Sequence, residues 1–342
     1  MTIDRRESLR RFGQFVTGAA GQEPTGGGAP SNDRLAPVLE LVNVPEFEAM
    51  ARLVLSGKQY GRVSGGQRRS FDKMTFRQRL MVYASDLDLT TPLFGHDMFA
   101  PIIVGPVSGQ RALHPEGEVA TARGASDGKA VMVATGDSPV DEVVAASQQP
   151  VWYQVYADAS GASDDASRAI DAGCQAVCVT LAVSEGGAPT AIDWDTLSSL
   201  SAAIDVPVLA KGIMSVDQAS AALDAGVDGL VVSNHGGVVG GGQALPIDVL
   251  PEVSDVVAGA VPVLVDGSFR RGTDILKGLA LGASAVMVAR PPMWGLAAYG
   301  AEGVQTVLEL FQTELARNMA SSGRPKIAMI DRELVRRDKW GT

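Results

Sequence analysis

Eight short apolar runs alternate with alanine-rich segments between residues 101 and 291, and this alternation constrains the fold more than any other feature. The runs are PIIVGPVS (101–108), AVMVAT (130–135), VWYQVY (151–156), AVCVTL (176–181), PVLAKG (207–212), GLVVSNHGG (229–237), PVLVDGS (262–268) and AVMVARP (285–291). Continuous apolar strands separated by helices are typical of a parallel sheet whose outer face is covered. Eight such units predict an α/β fold of the (β/α)8 TIM-barrel type.

An open doubly wound sheet fits the sequence less well. A Rossmann sheet carries G-x-G-x-x-G after its first strand, whereas the turn here is GPVSGQ. Outside the barrel, PEFEAMARLVLS (45–56) predicts an N-terminal amphipathic helix. Residues 302–322 and 326–339 predict closing helices at the C-terminus.

The first 36 residues are predicted to be a flexible leader, followed by a single barrel domain over 37–342. The leader contains EPTGGGAPSND, which is rich in turn-forming residues and offers nothing to bury. Its paired arginines resemble a twin-arginine export signal. The apolar stretch after Arg11 is, however, too short and too glycine-rich for such a signal.

Composition excludes several classes of partner. The net charge of -10 argues against nucleic acid or an anionic membrane as the main partner. No apolar run reaches the ~18 residues that span a bilayer. The two cysteines, Cys174 and Cys178, fit small buried residues better than a disulfide or a metal site, and no metal site is expected. Without a disulfide framework, a reducing, cytoplasmic location is expected.

Polar residues stand at the carboxyl ends of the predicted strands, where the site of such a barrel lies. They are Ser108, Gln154, Tyr156, Thr180, Lys211, Ser233, Asn234, His235, Asp266, Ser268 and Arg290. A lysine at the end of an apolar strand is unfavourable unless it faces a polar site. Lys211 and His235, on adjacent strands, are therefore predicted to form one site, with His235 suited to proton transfer.

The segment VDGSFRRGTD after the seventh strand predicts a phosphate site. Its glycine allows close approach of backbone N–H groups, a helix begins there, and Arg270 and Arg271 add cations. Arg290, after the eighth strand, adds another cation. These residues suggest either a phosphorylated redox cofactor or a phosphorylated substrate.

Taken together, the motifs resemble the FMN-dependent α-hydroxy acid oxidase and dehydrogenase family, which includes glycolate oxidase and lactate oxidase. The resemblance runs from about Val44 to about Lys326. It rests on FEAMA, PIIVGPVSGQRALHPEGEVATARGAS, VWYQVY, LAKGI, VVSNHGG, VDGSFRRGTDILKGLALGA and VARP. It implies an FMN-dependent oxidoreductase that acts on a small molecule and passes electrons to oxygen or another acceptor. Family members are often tetramers, so a homo-oligomer is also expected.

The resemblance also implies roles for individual residues. His235 would be the catalytic base, Lys211 would stabilise the reduced flavin, and Tyr156 would face the substrate. The residues expected to bind the cofactor are Val107, Ser108, Gln154, Thr180, Lys211, Ser233, Asp266, Gly267, Ser268, Arg270 and Arg290.

The chain departs from the family pattern on the substrate side. Val238 stands where the family has an arginine that grips the substrate carboxylate, and Ala182 stands where an aspartate pairs with the histidine. The loop AVSEGGAPTAIDW is shortened and lacks a second carboxylate-binding arginine. Arg62 is a candidate for a relocated anchor, and Glu185 for a partner of the histidine.

The sequence is compatible with three functions. The first is oxidation of a CH–OH or CH–NH2 carbon, with a substrate other than a small free 2-hydroxy acid. The second is a flavin-binding scaffold protein that has lost catalysis, a reading motivated by the missing arginines and aspartate. The third is a phosphate-binding barrel enzyme without flavin, against which VWYQVY and LAKGI argue.

Overall fold

A computed structural model describes residues 34–77, 86–157, 159, 161–184, 187–239 and 244–337. Eight parallel strands close into a barrel in which each strand pairs with the next and the last pairs with the first. In chain order they are β4 Ile102–Val104, β5 Val131–Ala134, β6 Val151–Tyr156, β7 Val177–Thr180, β8 Val208–Ile213, β9 Gly229–Val232, β10 Val263–Asp266 and β11 Ala285–Val288. The TIM-barrel prediction is confirmed. Seven strands lie within their apolar runs, and β8 extends one residue beyond its run, to Ile213.

Helices precede the barrel and follow its strands. They are α1 Val44–Val54, α2 Gly57–Val63, α3 Arg69–Asp72, α4 Gly117–Asp127, α5 Val140–Ala145, α6 Ala162–Asp171, α7 Trp194–Ala203, α8 Val216–Asp224, α9 Pro246–Val257, α10 Gly272–Ala280 and α11 Arg290–Ser321. The predicted N-terminal amphipathic helix is α1, which ends where Leu55 becomes extended. Ser56 then starts α2, because its side chain and that of Gln59 form a capping box.

The interior of the barrel is apolar at its amino-terminal end. Ile103, Leu209 and Met287 belong to a buried cluster that fills the barrel. A hairpin of β2 (Thr91–Leu93) and β3 (His96–Met98) covers this end, and both strands contribute to the cluster. The polar side chains lie at the opposite, carboxyl end of the strands.

The C-terminal region differs in part from the prediction. The closing helix expected over 302–322 is present as the second part of α11, which bends at Gly300 (φ 62°). The helix expected over 326–339 is wrong as far as the structure describes it, because two 3-10 turns lead into β12 (Val335–Arg337). This strand pairs antiparallel with β1 (Met74–Phe76), and Leu334 is fully buried at its start. The backbone pairing with β1 overrides the weak helical pattern of this segment.

Residues Leu35–Thr342 form one compact unit. The predicted leader lies almost wholly outside the described residues, and its boundary at residue 36 stays a prediction. The carbonyl of Ala36 accepts a hydrogen bond of 2.7 Å from the Tyr299 hydroxyl on α11. Among the described residues, no helix is long and apolar enough to cross a membrane.

Both cysteines are buried free thiols. Burial raises the pKa of Cys174 and of Cys178 to about 12, so neither thiol ionises at neutral pH.

Candidate active site

A cavity of about 430 Å³ opens at the carboxyl end of the barrel strands. It brings together nearly every residue that the sequence analysis singled out: Arg62, Val107, Ser108, Gln154, Tyr156, Thr180, Lys211, His235, Asp266, Gly267, Ser268, Arg270 and Arg290. Ser233 does not line the cavity, but its hydroxyl forms hydrogen bonds with three residues that do, Lys211, His235 and Asp266. The volume lies within the range typical of small-molecule sites.

Lys211, Ser233 and Asp266 form a buried polar cluster at the ends of β8, β9 and β10. The Lys211 ammonium lies 3.1 Å from the Asp266 carboxylate and donates a 3.1 Å hydrogen bond to the Ser233 hydroxyl. That hydroxyl donates in turn to Asp266 at 3.2 Å. Lys211 is only 4% exposed, so the carboxylate and hydroxyl compensate for its burial.

His235 follows β9 in a left-handed backbone conformation with a φ of 49°. Its backbone N–H donates to the Ser233 hydroxyl at 3.3 Å, which ties the histidine to the lysine cluster. Burial lowers the pKa of His235 to about 3, helped by the Lys211 ammonium and opposed by Asp266. The imidazole is therefore neutral at physiological pH, and its buried Nε2 has no hydrogen-bond partner among the described residues.

Gln154 and Thr180 present polar groups on the neighbouring strands β6 and β7. The Thr180 hydroxyl donates to Gln154 Oε1 at 3.0 Å, and both residues are buried. This bond leaves the amide –NH2 of Gln154 available as a donor toward a bound ring.

The residues of the predicted phosphate site lie at the start of α10. Gly267 and Ser268 have φ values of 121° and 60°, which turn the chain sharply between β10 and the helix. Asp274 fixes this turn by accepting from the backbone N–H groups of Arg270 (2.8 Å) and Arg271 (2.9 Å). The Arg270 guanidinium packs over the Trp294 ring at 4.7 Å, and its burial lowers the pKa of Arg270 to about 10.

Arg271 was predicted as a further cation of this site, and the structure contradicts that prediction. Its Nε donates to both carboxylate oxygens of Glu314 on α11, at 3.0 and 2.9 Å. As the residue before the first turn of α10, it extends outward while Arg270 extends inward.

The substrate side of the cavity carries few cations. Val238 and Val183 line it, and neither residues 182–193 nor residues 236–245 contain a lysine or an arginine. Arg62, at the end of α2, lines the cavity and donates to the Ser108 carbonyl at 3.1 Å. Glu185, the candidate partner for His235, lies outside the described residues.

Two carboxylates that the sequence analysis did not single out shape the wall beside Ser108. The buried Glu118 accepts from the backbone N–H groups of Thr135 (2.6 Å) and Ser138 (3.1 Å), and burial raises its pKa. Asp137, held between those residues, accepts from the backbone N–H groups of Gly109 and Gln110. Only the fold shows which loop Glu118 holds, because Thr135 and Ser138 lie 17 and 20 positions away in the chain.

Comparison with known proteins finds similarity over most of the chain. The family described as FMN-dependent dehydrogenase matches residues 48–188 and 182–337. A peroxisomal (S)-2-hydroxyacid oxidase of Arabidopsis thaliana is 34% identical, over 87% of this chain and 97% of the relative. A crystal structure of mandelate oxidase with (S)-2-phenylpropionate superposes with a TM-score of 0.80 at 33% identity, over 86% of this chain and 98% of that chain.

A further structure of mandelate oxidase has an arginine replaced by leucine and contains 2-hydroxy-phenylacetamide. It superposes with a TM-score of 0.79 at 33% identity, again over 86% of this chain and 98% of that chain.

Proposed function

The chain belongs to the family of FMN-dependent dehydrogenases, and from this premise we propose that it oxidises a CH–OH or CH–NH2 carbon of a small molecule. The observation that carries the proposal is the neutral imidazole of His235 in the same cavity as the Lys211–Asp266 pair. Oxidation of such a carbon removes one proton and one hydride. The neutral imidazole can take the proton, and the adjacent positive charge favours transfer of the hydride to a cofactor.

The cavity fits FMN in its polar groups. Arg270, Arg290 and the turn at Gly267 and Ser268 offer cations and backbone N–H groups to a phosphate. At the other end of the proposed cofactor site, Gln154 and Lys211 offer donors to the flavin ring, and the Thr180 hydroxyl, whose proton goes to Gln154, offers an acceptor. Val107 and Ser108 form the adjoining wall. Bound FMN supplies the two-electron oxidant.

The proton chemistry follows from the charges of the chain itself. His235 is neutral, so its imidazole can accept the proton of the substrate hydroxyl or amine. Lys211 would stabilise negative charge on a bound flavin ring, and it disfavours a second positive charge on His235. Tyr156, which lines the same cavity, orients the substrate.

The substrate is not a small free 2-hydroxy acid held in the manner usual for the family. A buried hydrogen bond to a charged group contributes about 1.5–3 kcal/mol, and the two loops that would supply it hold no cation. The mandelate oxidase variant with arginine replaced by leucine contains a neutral hydroxy amide. We therefore infer a neutral substrate such as an ester, amide or amine, or an acid whose carboxylate binds Arg62.

We further propose that oxygen or another acceptor reoxidises the cofactor. We also propose that the protein acts as a homo-oligomer in the cytoplasm. The Arabidopsis relative is named as peroxisomal, so location varies within the family.

The test is anaerobic titration of the flavin-loaded protein with 2-hydroxy acids, their esters and amides, and amines, followed by the loss of visible absorbance. Bleaching that His235→Ala abolishes would support the proposal. Bound FMN that none of these donors reduces, together with no effect of His235→Ala, would overturn it and favour a scaffold protein that has lost catalysis.

A further inference from the structure

The segment of residues 64–68 lies directly on the proposed phosphate site, and we call it the strap. The Gly65 carbonyl accepts hydrogen bonds from Arg270 Nη2 at 2.9 Å and from Arg290 Nη1 at 2.7 Å. Gly66 is so close that a Cβ atom there would lie 2.4 Å from Arg290 Nη1 and 2.8 Å from Ser268 Oγ. The strap thus touches three of the residues that face the phosphate.

Arg68 fastens the far end of the strap to the phosphate turn. Its guanidinium pairs with the Asp274 carboxylate through two hydrogen bonds of 2.8 and 3.0 Å, and a third of 2.9 Å goes to the Ser268 carbonyl. Asp274 is 1% exposed and also accepts from the Arg270 N–H, so Arg68 bonds the strap to the group that shapes the turn. The near end is held by the Trp294 indole N–H, which donates to the Val63 carbonyl at 2.9 Å.

Arg68 does not line the cavity itself, so any effect on the cofactor must pass through the residues that it holds. A bidentate arginine–carboxylate pair fixes both distance and orientation, which a lysine at the same position cannot do.

From these contacts we propose that the strap closes the phosphate end of the cofactor site and that Arg68 is the positioning residue that keeps it closed. The inference depends on the proposed placement of the FMN phosphate at Ser268, Arg270 and Arg290. With the strap fastened, the phosphate is enclosed between Gly65 and the turn, and FMN leaves only when the strap opens. The ring end of the site is unaffected.

The experiment compares FMN with riboflavin, which has the same ring but no phosphate, in Arg68→Lys. We expect the dissociation constant for FMN to rise at least about tenfold and that for riboflavin to change less than about twofold. The loss should appear as faster release of FMN, followed by recovery of its fluorescence, with unchanged association. Arg123→Lys, which alters an exposed arginine–carboxylate pair with Glu116, is the matched control and should change neither constant.

Two variants distinguish the role of Arg68 from the placement of the FMN phosphate. An equal loss of affinity for FMN and riboflavin, no loss, or a loss confined to association would overturn the role of Arg68. Arg290→Gln tests the placement, because it should weaken FMN alone. If Arg290→Gln behaves so and Arg68→Lys does not, only the strap proposal fails, and riboflavin binding shows in each case that the variant has folded.

Discussion

A Cβ atom at Gly212 would lie 2.5 Å from Nε2 of His235, so the strand that carries Lys211 also limits where the imidazole can stand. Gly212 has a φ of 119°, a conformation that residues with a Cβ rarely adopt. The positions of Lys211 and His235 are thus linked in two ways. Gly212, which follows Lys211, lies against the imidazole, and Ser233 forms hydrogen bonds with both residues.

Replacing Gly212 by alanine should impair turnover without removing the cofactor. The added methyl group would meet both the imidazole and, at 2.7 Å, the Leu181 carbonyl oxygen, so the imidazole or the backbone beside it must move. Misplacement of a catalytic group by about 1 Å can lower the rate about 100-fold. We expect kcat/KM to fall by at least about tenfold. Steady-state kinetics and the FMN absorbance of the purified variant measure both quantities. Gly226→Ala, at a turn remote from the cavity with a φ of 81°, controls for the general strain of such a change.

The rate should depend little on pH in the mildly acid range. The imidazole must be neutral to accept a proton, and its pKa of about 3 keeps it neutral down to pH 5. We therefore expect a flat profile of kcat/KM from pH 8 to pH 5, measured with an ester or amide substrate that does not itself titrate. An unperturbed histidine would lower the rate about 30-fold at pH 5. A decline centred near pH 6.5 would show that the imidazole is not held neutral in the free enzyme.

The low pKa of His235 should also make the folded protein less stable as the pH falls. Between pH 6.5 and 3 the unfolded chain protonates His235 and the folded chain does not, so stability is lost as the pH falls. At pH 4 the loss attributable to this residue reaches about 3 kcal/mol. His235→Gln removes this titrating group. Urea unfolding should therefore show that the free energy of unfolding decreases less from pH 7 to pH 4 in the variant than in the original protein. An identical decrease in both proteins would contradict the low pKa.

The sequence predicted the barrel and the chemistry at the strand ends because both depend on short-range pattern. Apolar β-branched runs mark the strands, and the residues that end each run necessarily meet at one edge of a parallel barrel. Lys211 and His235 could be placed together on this ground alone.

The strap, the pairing of Arg68 with Asp274 and the redirection of Arg271 to Glu314 were not predictable from the sequence. Arg68 and Asp274 are 206 positions apart, and nothing in either local sequence indicates the other. The strand β12 was missed for the same reason, since its partner β1 lies far away in the chain.

Arg62 should matter only for substrates that carry a negative charge. Its side chain lines the cavity, and the loops 182–193 and 236–245 supply no other cation. We expect Arg62→Gln to raise KM for a free hydroxy acid about tenfold or more. The KM for the corresponding amide should change little. Equal effects on acid and amide would show that Arg62 acts on the shape of the Ser108 turn instead, since it donates to the Ser108 carbonyl.

Introducing an arginine at position 238 should move the preference toward free acids. Val238 is 41% exposed and lines the cavity next to the loop of His235, so a longer side chain can be accommodated without displacing the core. A new charge-assisted hydrogen bond would lower KM for a 2-hydroxy acid about tenfold in Val238→Arg. The ratio of kcat/KM for an acid to that for its amide measures the effect, and Val238→Leu controls for bulk. If both variants shift the ratio equally, side-chain volume rather than charge sets the specificity of this wall.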